Sequence, residues 1–300
     1  MAGNLVAFPT ETVYGLGADA TNSAAVSRIY SVKGRPTNHP LIVHISSITG
    51  LRDWAIDIPE YGIRLARDFW PGPMTLVLKR GRLAQNFITG GQETVGLRVP
   101  DHDVALALME AFESIGGKGI AAPSANRFGQ VSPTTSSAVV DELSKYLQST
   151  DLIIDGGACA VGVESTIIDC TGHAPQILRP GAITEIMIEE STGLECIDSL
   201  GNSIRVSGSL ENHYAPMAKV SLCEVPTPGQ GFIALASIQT PPGVIRLASP
   251  QDDEEFAQIL YTALRQADIQ GLAEVVVIQP IGIGIAVAIR DRLSRAANGR

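Results

Sequence analysis

Four positively charged side chains stand out in the first two hundred residues because of where they sit. Lys33 and Arg35 flank Gly34 at the end of an amphipathic run, Arg98 interrupts the apolar sequence Thr94-Val95-Gly96-Leu97-Arg98-Val99, and Arg179 precedes Pro180-Gly181. A guanidinium inside an apolar strand is costly unless an anion meets it, so Arg98 is either half of an internal ion pair or a clamp for a carboxylate or phosphate. Lys33 and Arg35 are either a solvated pair at a helix C-terminus or phosphate ligands held at a turn. Polar neutral groups accompany them. Thr10-Glu11-Thr12 offers two hydroxyls and a carboxylate, and Gly15 and Gly17 follow closely. Ser124 and Asn126 stand two apart after Pro123, a spacing that aims both side chains one way if the backbone is extended and makes an ordinary turn if it is not. Ser165 follows Glu164 at the start of another apolar run.

Covalent catalysis finds no foothold. There is no G-x-S-x-G elbow, no cysteine with an evident histidine partner, and no Walker phosphate loop. Histidines 39, 44, 102, 173 and 213 lack metal-ligand spacing. Gly282-Ile283-Gly284 resembles the opening of a dinucleotide loop, but the third glycine and the later acidic residue are missing, so a plain helix start is the better reading. The inventory suits binding of a phosphorylated nucleotide beside a small zwitterion, with catalysis by positioning and charge stabilisation.

The elements that must position these groups read in order. Leu5–Phe8 is a buried strand that empties into the Thr10–Gly17 loop, and Asn22–Val32 is a helix capped by Asn22 and stopped by Gly34 and Pro36. Strands follow at Leu41–Ile45, where His44 breaks the apolar run, at Met74–Leu78 after the rigid turn Trp70-Pro71-Gly72-Pro73, and at Thr94–Pro100. Ile120–Ala122, Leu152–Asp155 and Ser165–Asp169 are further strands, with helices over Ile63–Phe69, Val104–Ile115 and Thr134–Leu147. Without a regular βαβ beat, the pattern predicts a twisted mixed sheet with helices packed on it. Residues 201–219 are more polar and read as a linker, and beyond them strands at Phe232–Ala236 and Val275–Ile278 with helices near Glu254–Gln266 and Ile285–Ala297 predict a small α/β domain. The expected organisation is therefore 1–200, 201–219 and 220–300.

Bulk properties narrow the function. The chain has 300 residues and a formal net charge of -9, and the first 200 carry 14 Lys and Arg against 22 Asp and Glu, which argues against strong direct nucleic-acid binding. Cys159, Cys170, Cys196 and Cys223 show no paired spacing and are expected as free thiols, and no signal or membrane-length apolar run is present, so a cytoplasmic location is expected.

Seven segments, taken together, resemble the threonylcarbamoyl-AMP synthases of the YrdC-like family: Pro9–Leu16, Lys33–Pro36 with His39–His44, Trp70–Thr75, Gly96–Pro100, Ala122–Asn126, Glu164–Thr166 and Leu178–Gly181. His213-Tyr214-Ala215-Pro216 and the small second domain look like the longer, two-domain branch. The resemblance implies an α/β fold, with a YrdC-like twisted mixed sheet and helices around a concave site, plus a small Rossmann-like C-terminal domain. It implies a nucleotidyltransferase that makes L-threonylcarbamoyladenylate and pyrophosphate from ATP, L-threonine and bicarbonate or CO2, for N6-threonylcarbamoyl modification of tRNA adenosine 37. Lys33 and Arg35 would be catalytic and, with His39, Thr94, Ser124, Asn126, Ser132, Arg179 and Tyr214, would hold ATP. Thr12, His44, Arg98 and Ser165 would hold threonine. Mg2+ would accompany ATP, no protein metal ligand is indicated, and the product would pass to the tRNA threonylcarbamoyl-transferring complex. An RNA-binding module of the same fold is the alternative, disfavoured by the acidic charge. A hydrogenase-maturation carbamoyl transferase would need zinc-finger cysteine pairs that this chain lacks.

Overall fold

In the computed structural model, residues 3–197, 204–208, 214–222 and 225–298 are described, which leaves His213 and Cys223 outside. The larger sheet has nine strands: β1 (Val6–Phe8), β2 (Gly15–Asp19), β3 (Ile42–His44), β4 (Met74–Lys79), β5 (Thr94–Arg98), β6 (Ile120–Ala121), β7 (Leu152–Ile153), β8 (Thr166–Asp169) and β9 (Gln176–Arg179). Their spatial order is β7-β1-β2-β6-β3-β5-β4-β8-β9. Three pairings are parallel (β1 with β7, β3 with β5, β4 with β8) and the other five antiparallel, so the sheet is mixed as the irregular beat predicts.

The strand β2 is a departure from the sequence reading, which treats Gly15 and Gly17 as loop glycines. A Cβ on Gly17 would lie 2.8 Å from both Ile120 Cγ2 and Phe8 Cε1, so glycine here admits neighbouring side chains to a strand. The helix expected over Thr134–Leu147 is shorter, Ser136–Leu143, because Thr135 caps it by accepting from the Ala138 amide, and a 3-10 turn at Ser144–Tyr146 follows. A helix at Glu185–Thr192 was not foreseen.

Helix Ser23–Lys33 sets the position of two of the four cations. Asn22 Oδ1 accepts from the Ala24 and Ala25 amides, and Ala25, Val26, Ile29 and Tyr30 are buried. Gly34 adopts the left-handed conformation (φ 62°), and the Arg35 amide turns back to the Tyr30 carbonyl at 3.0 Å, so the chain reverses between Lys33 and Arg35.

The second sheet holds β10 (Lys219–Leu222), β11 (Gly231–Ile233), β12 (Ile245–Ala248) and β13 (Glu274–Val277), all parallel, in the order β10-β13-β11-β12. Helices Asp253–Ile269 and Ile285–Ala297 pack with it. Gly282 and Gly284 have positive φ and a Cβ on either would meet nothing within 4 Å, so here they serve the turn into the last helix. The core of this half takes in Val13, Val131 and Val163 beside Phe256, Leu260 and Tyr261. Three residues of the first half therefore pack into the core of the second, while the main core of the first half remains its own. Among the described residues no helix is long and apolar enough to cross a membrane.

A Cβ at Gly34 would force a left-handed conformation on an L-residue, and only the flexible end of Arg127 stands close by. Gly34→Ala is expected to lower stability by about 1–2 kcal/mol in chemical denaturation, with an unchanged dependence on denaturant.

Candidate active site

The four cations meet. Lys33, Arg35, Arg98 and Arg179 line one cavity together with Thr12, His44, Ser124, Ser165 and Tyr214, so nine of the thirteen residues singled out in the sequence share a wall. They arrive from the end of helix Ser23–Lys33 and its turn, from β3, β5 and β9, from the loops after β1, after β6 and before β8, and, for Tyr214, from the segment that precedes the strand Lys219–Leu222. The remaining four are set back. Asn126 is buried and its amide donates to the carbonyls of Arg127 and Gln130, holding the loop that carries Ser124. Ser132 donates to Glu164 at 2.6 Å. His39 lies edge-on to Phe128, a cavity residue whose ring also faces Arg35. Thr94 lies in a neighbouring depression that shares Ile42 and Ser207 with the cavity.

Each cation has a local partner. Lys33 Nζ donates to the carbonyls of Ser124 and Asn126, and burial, then Arg35, hold its pKa well below the ordinary lysine value. Arg35 Nη2 donates to the Pro40 carbonyl at 3.0 Å and to Ser207 Oγ at 3.2 Å, and burial brings its pKa down to about 10. Arg98 lies 2.7 Å from Glu11 Oε2, yet neither its Nη2 nor its Nε makes an aligned hydrogen bond. An ion pair that leaves donors unused is suited to receive a second carboxylate. Arg179 donates through Nε and Nη2 to the Ser165 carbonyl at 3.1 and 2.8 Å, through Nη2 to Ser165 Oγ at 3.1 Å, and through Nη1 to the Ser207 carbonyl at 2.8 Å.

Neutral groups complete the wall. Thr10 and Thr12 hydroxyls lie 2.9 Å apart, and Thr75 and Ser165 hydroxyls 2.8 Å apart. His44 is buried, and burial together with Arg98 lowers its pKa to about 3, so the ring is neutral at any working pH. Tyr214 is buried at a left-handed φ of 64°, and a Cβ on Gly208 would collide with its hydroxyl. That close approach explains glycine at 208, and the strained tyrosine backbone is characteristic of functional sites.

Several contributors were not singled out in the sequence: Glu11 as the Arg98 counter-ion, Glu164 on the wall, Phe128, and the Ser207-Gly208 segment. Glu11 had a signal, since its carboxylate sits in the same loop as Thr12. Glu164 accepts from Ser132 nearby, but its other two partners lie about a hundred residues or more away and had no signal: Arg292 and Tyr261 of the second half each reach its Oε2 at 2.8 Å.

Fold and cavity define a class before any particular activity. A family model for the Sua5/YciO/YrdC proteins, described as "Telomere recombination", matches residues 1–181, and a second, described as "Threonylcarbamoyl-AMP synthase, C-terminal domain", matches residues 183–298. Threonylcarbamoyl-AMP synthase of Pyrococcus abyssi is 40% identical over 318 residues, with 99% of this chain and 92% of the relative covered. The Bacillus subtilis enzyme of that name is 39% identical, covering 99% and 90%. The crystal structure of P. abyssi Sua5 complexed with L-threonine superposes with a TM-score of 0.87 at 38% identity, covering 99% of this chain and 92% of that one. The chain belongs to the threonylcarbamoyl-AMP synthase family, transferases whose product is an adenylate.

The neutral His44 makes the folded protein sensitive to acid. Its pKa is near 3 when folded and 6.5 ordinarily, so below pH 6.5 the unfolded chain takes up a proton that the folded chain refuses, and stability falls with pH. Between pH 6.5 and 5, His44→Gln is expected to reduce the slope of unfolding free energy against pH by about 1 kcal/mol per unit. An unchanged slope would show that His44 is protonated in the folded protein.

Proposed function

We propose that the cavity joins a carbamoylated L-threonine to the α-phosphate of ATP, giving threonylcarbamoyl-AMP and pyrophosphate. The observation that carries this reading is the convergence of four cations from separate elements on a space that also presents hydroxyls and a neutral imidazole. Family membership and the threonine complex of the P. abyssi relative support it.

In this reading Arg98 takes the threonine carboxylate with the donors that Glu11 leaves unused, while Thr12, His44 and Ser165 surround the rest of the amino acid. Lys33, Arg35, Ser124, Arg179 and Tyr214 hold the nucleotide. His39 and Thr94 extend that half outward, and Asn126 and Ser132 act through the Lys33 carbonyl cradle and through Glu164. The threonine amine adds to carbon dioxide, supplied as such or from bicarbonate, and loses a proton to give a carbamate. A carbamate oxygen then attacks the α-phosphorus, and the bond to pyrophosphate breaks as the new one forms. Lys33 and Arg35 face the charge that grows on the departing phosphates, and no residue is acylated.

Magnesium fits this site on the substrate side. Among the described residues, the carboxylates at the cavity are Glu164 on the wall and Glu11 behind Arg98, and both are ion-paired. The ion would therefore be held by the phosphate oxygens and water, supplying charge neutralisation there. We further place the enzyme in the cytoplasm, upstream of the complex that transfers threonylcarbamoyl to tRNA. The free thiols of Cys159, Cys170 and Cys196 accord with a reducing compartment.

Pyrophosphate release from ATP should require both threonine and bicarbonate and should fall sharply when serine or glycine replaces threonine. Arg35→Ala is expected to lower the rate about 100-fold or more, whereas Arg98→Ala should raise the threonine KM by about 10- to 100-fold. Threonine-independent release, or full activity in both variants, would remove the assignment.

A further inference from the structure

The C-terminal half places two side chains directly beneath the cavity. Arg292, in the middle of helix Ile285–Ala297, is fully buried, and its Nε donates to Glu164 Oε2 at 2.8 Å. Its Nη2 donates to the carbonyls of Glu164 and Pro180 at 3.3 and 3.0 Å, and its Nη1 donates to Asp291 at 2.5 Å. Tyr261, on helix Asp253–Ile269, donates to the same Glu164 oxygen at 2.8 Å. The Arg292 guanidinium lies 5.5 Å from the centre of the Tyr214 ring, and Tyr214 stacks on Tyr261 at 5.7 Å.

Glu164 is the only one of these Arg292 and Tyr261 partners that is both charged and on the cavity wall. Its neighbour Ser165 is the residue that Arg179 grips. A buried carboxylate stripped of its partners is drawn to the nearest cation, and on this wall that cation is Arg179. We propose that Arg292 and Tyr261 are positioning residues for anion binding: by engaging Glu164 Oε2 from behind, they keep the carboxylate from pairing directly with Arg179 and leave Arg179 available to a phosphate. Neither touches the cavity itself.

Two further facts support the division of labour. Burial pushes the Glu164 carboxyl up, but Arg292 and then Arg179 outweigh it and bring it down to about 2, so the group is ionised. Burial, then Glu164, push the Tyr261 phenol up, so it remains a donor. A buried ion pair is also a poor device for stability alone, since apolar residues of equal volume commonly serve as well.

The inference rests on reading the cavity as an ATP site, and the test separates the two. Calorimetry with ATP and Mg2+ on the full chain compares wild type, Arg292→Met, Tyr261→Phe, Glu164→Gln and both doubles with Glu164→Gln. Arg292→Met is expected to weaken ATP binding about 10-fold or more, and Tyr261→Phe, which keeps the ring, about 3-fold. Each loss should disappear, to within about 2-fold, in the Glu164→Gln background, because the uncompensated charge is then gone. Wild-type affinity in Arg292→Met, or doubles that show the same loss as on the wild-type background, would overturn the proposal. If Arg292→Met fails to fold, the Tyr261→Phe pair decides alone. Wild-type protein that binds ATP but releases no pyrophosphate with threonine and bicarbonate loses the proposed reaction, while the affinity comparison still decides the role of Arg292 and Tyr261.

Discussion

Four positive side chains share a small buried space only if each faces something negative or dipolar, and much of the architecture serves that condition. Lys33 is held by two carbonyls, Arg98 by Glu11, Arg179 by the Ser165 and Ser207 carbonyls, and Arg35 by Pro40 and Ser207. Those partners lie on different segments, so the cluster depends on long-range packing. The mixed sheet provides it by pairing β3 with β5, which sets His44 opposite Arg98, and β8 with β9, which brings Arg179 beside Ser165. The acidity of the surrounding chain works in the same direction, because a net negative field makes a positive pocket less costly to assemble.

Much of this could be read from the residues. Arg98 posed a choice between an internal ion pair and a clamp, and the geometry answers that it is an ion pair with donors to spare. Lys33 and Arg35 could have been a solvated helix end, but both are buried at the turn that Gly34 makes. Capping by Asn22 and the stop at Gly34 were legible because their causes are local: one side-chain oxygen, one positive φ. The strand at Gly15–Asp19 was not, since its glycines answer to Phe8 and Ile120, which approach from other strands. Asn126 lies two residues from Ser124 as an extended segment requires, yet its amide turns into its own loop.

The role of the second half was the least legible part. Nothing near Glu164 announces that Arg292 and Tyr261 will reach it, because the apolar face of each helix carries one polar residue among many alanines and leucines. A lone polar residue on such a face can be a satisfied core group as easily as a functional one. Only the fold shows that both polar residues converge on a single carboxylate, and that the apolar residues around them extend the core into the first half.

Ser207 touches two of the four cations, its hydroxyl accepting from Arg35 and its carbonyl from Arg179. The chain thus carries an internal competitor for the oxygens of any incoming anion. A small ion that displaces one of these contacts exchanges one acceptor for another and gains little. A polyanion that reaches both guanidiniums at once replaces a neutral acceptor pair with charged oxygens, so under the proposed reading Ser207 favours a triphosphate over a stray small anion.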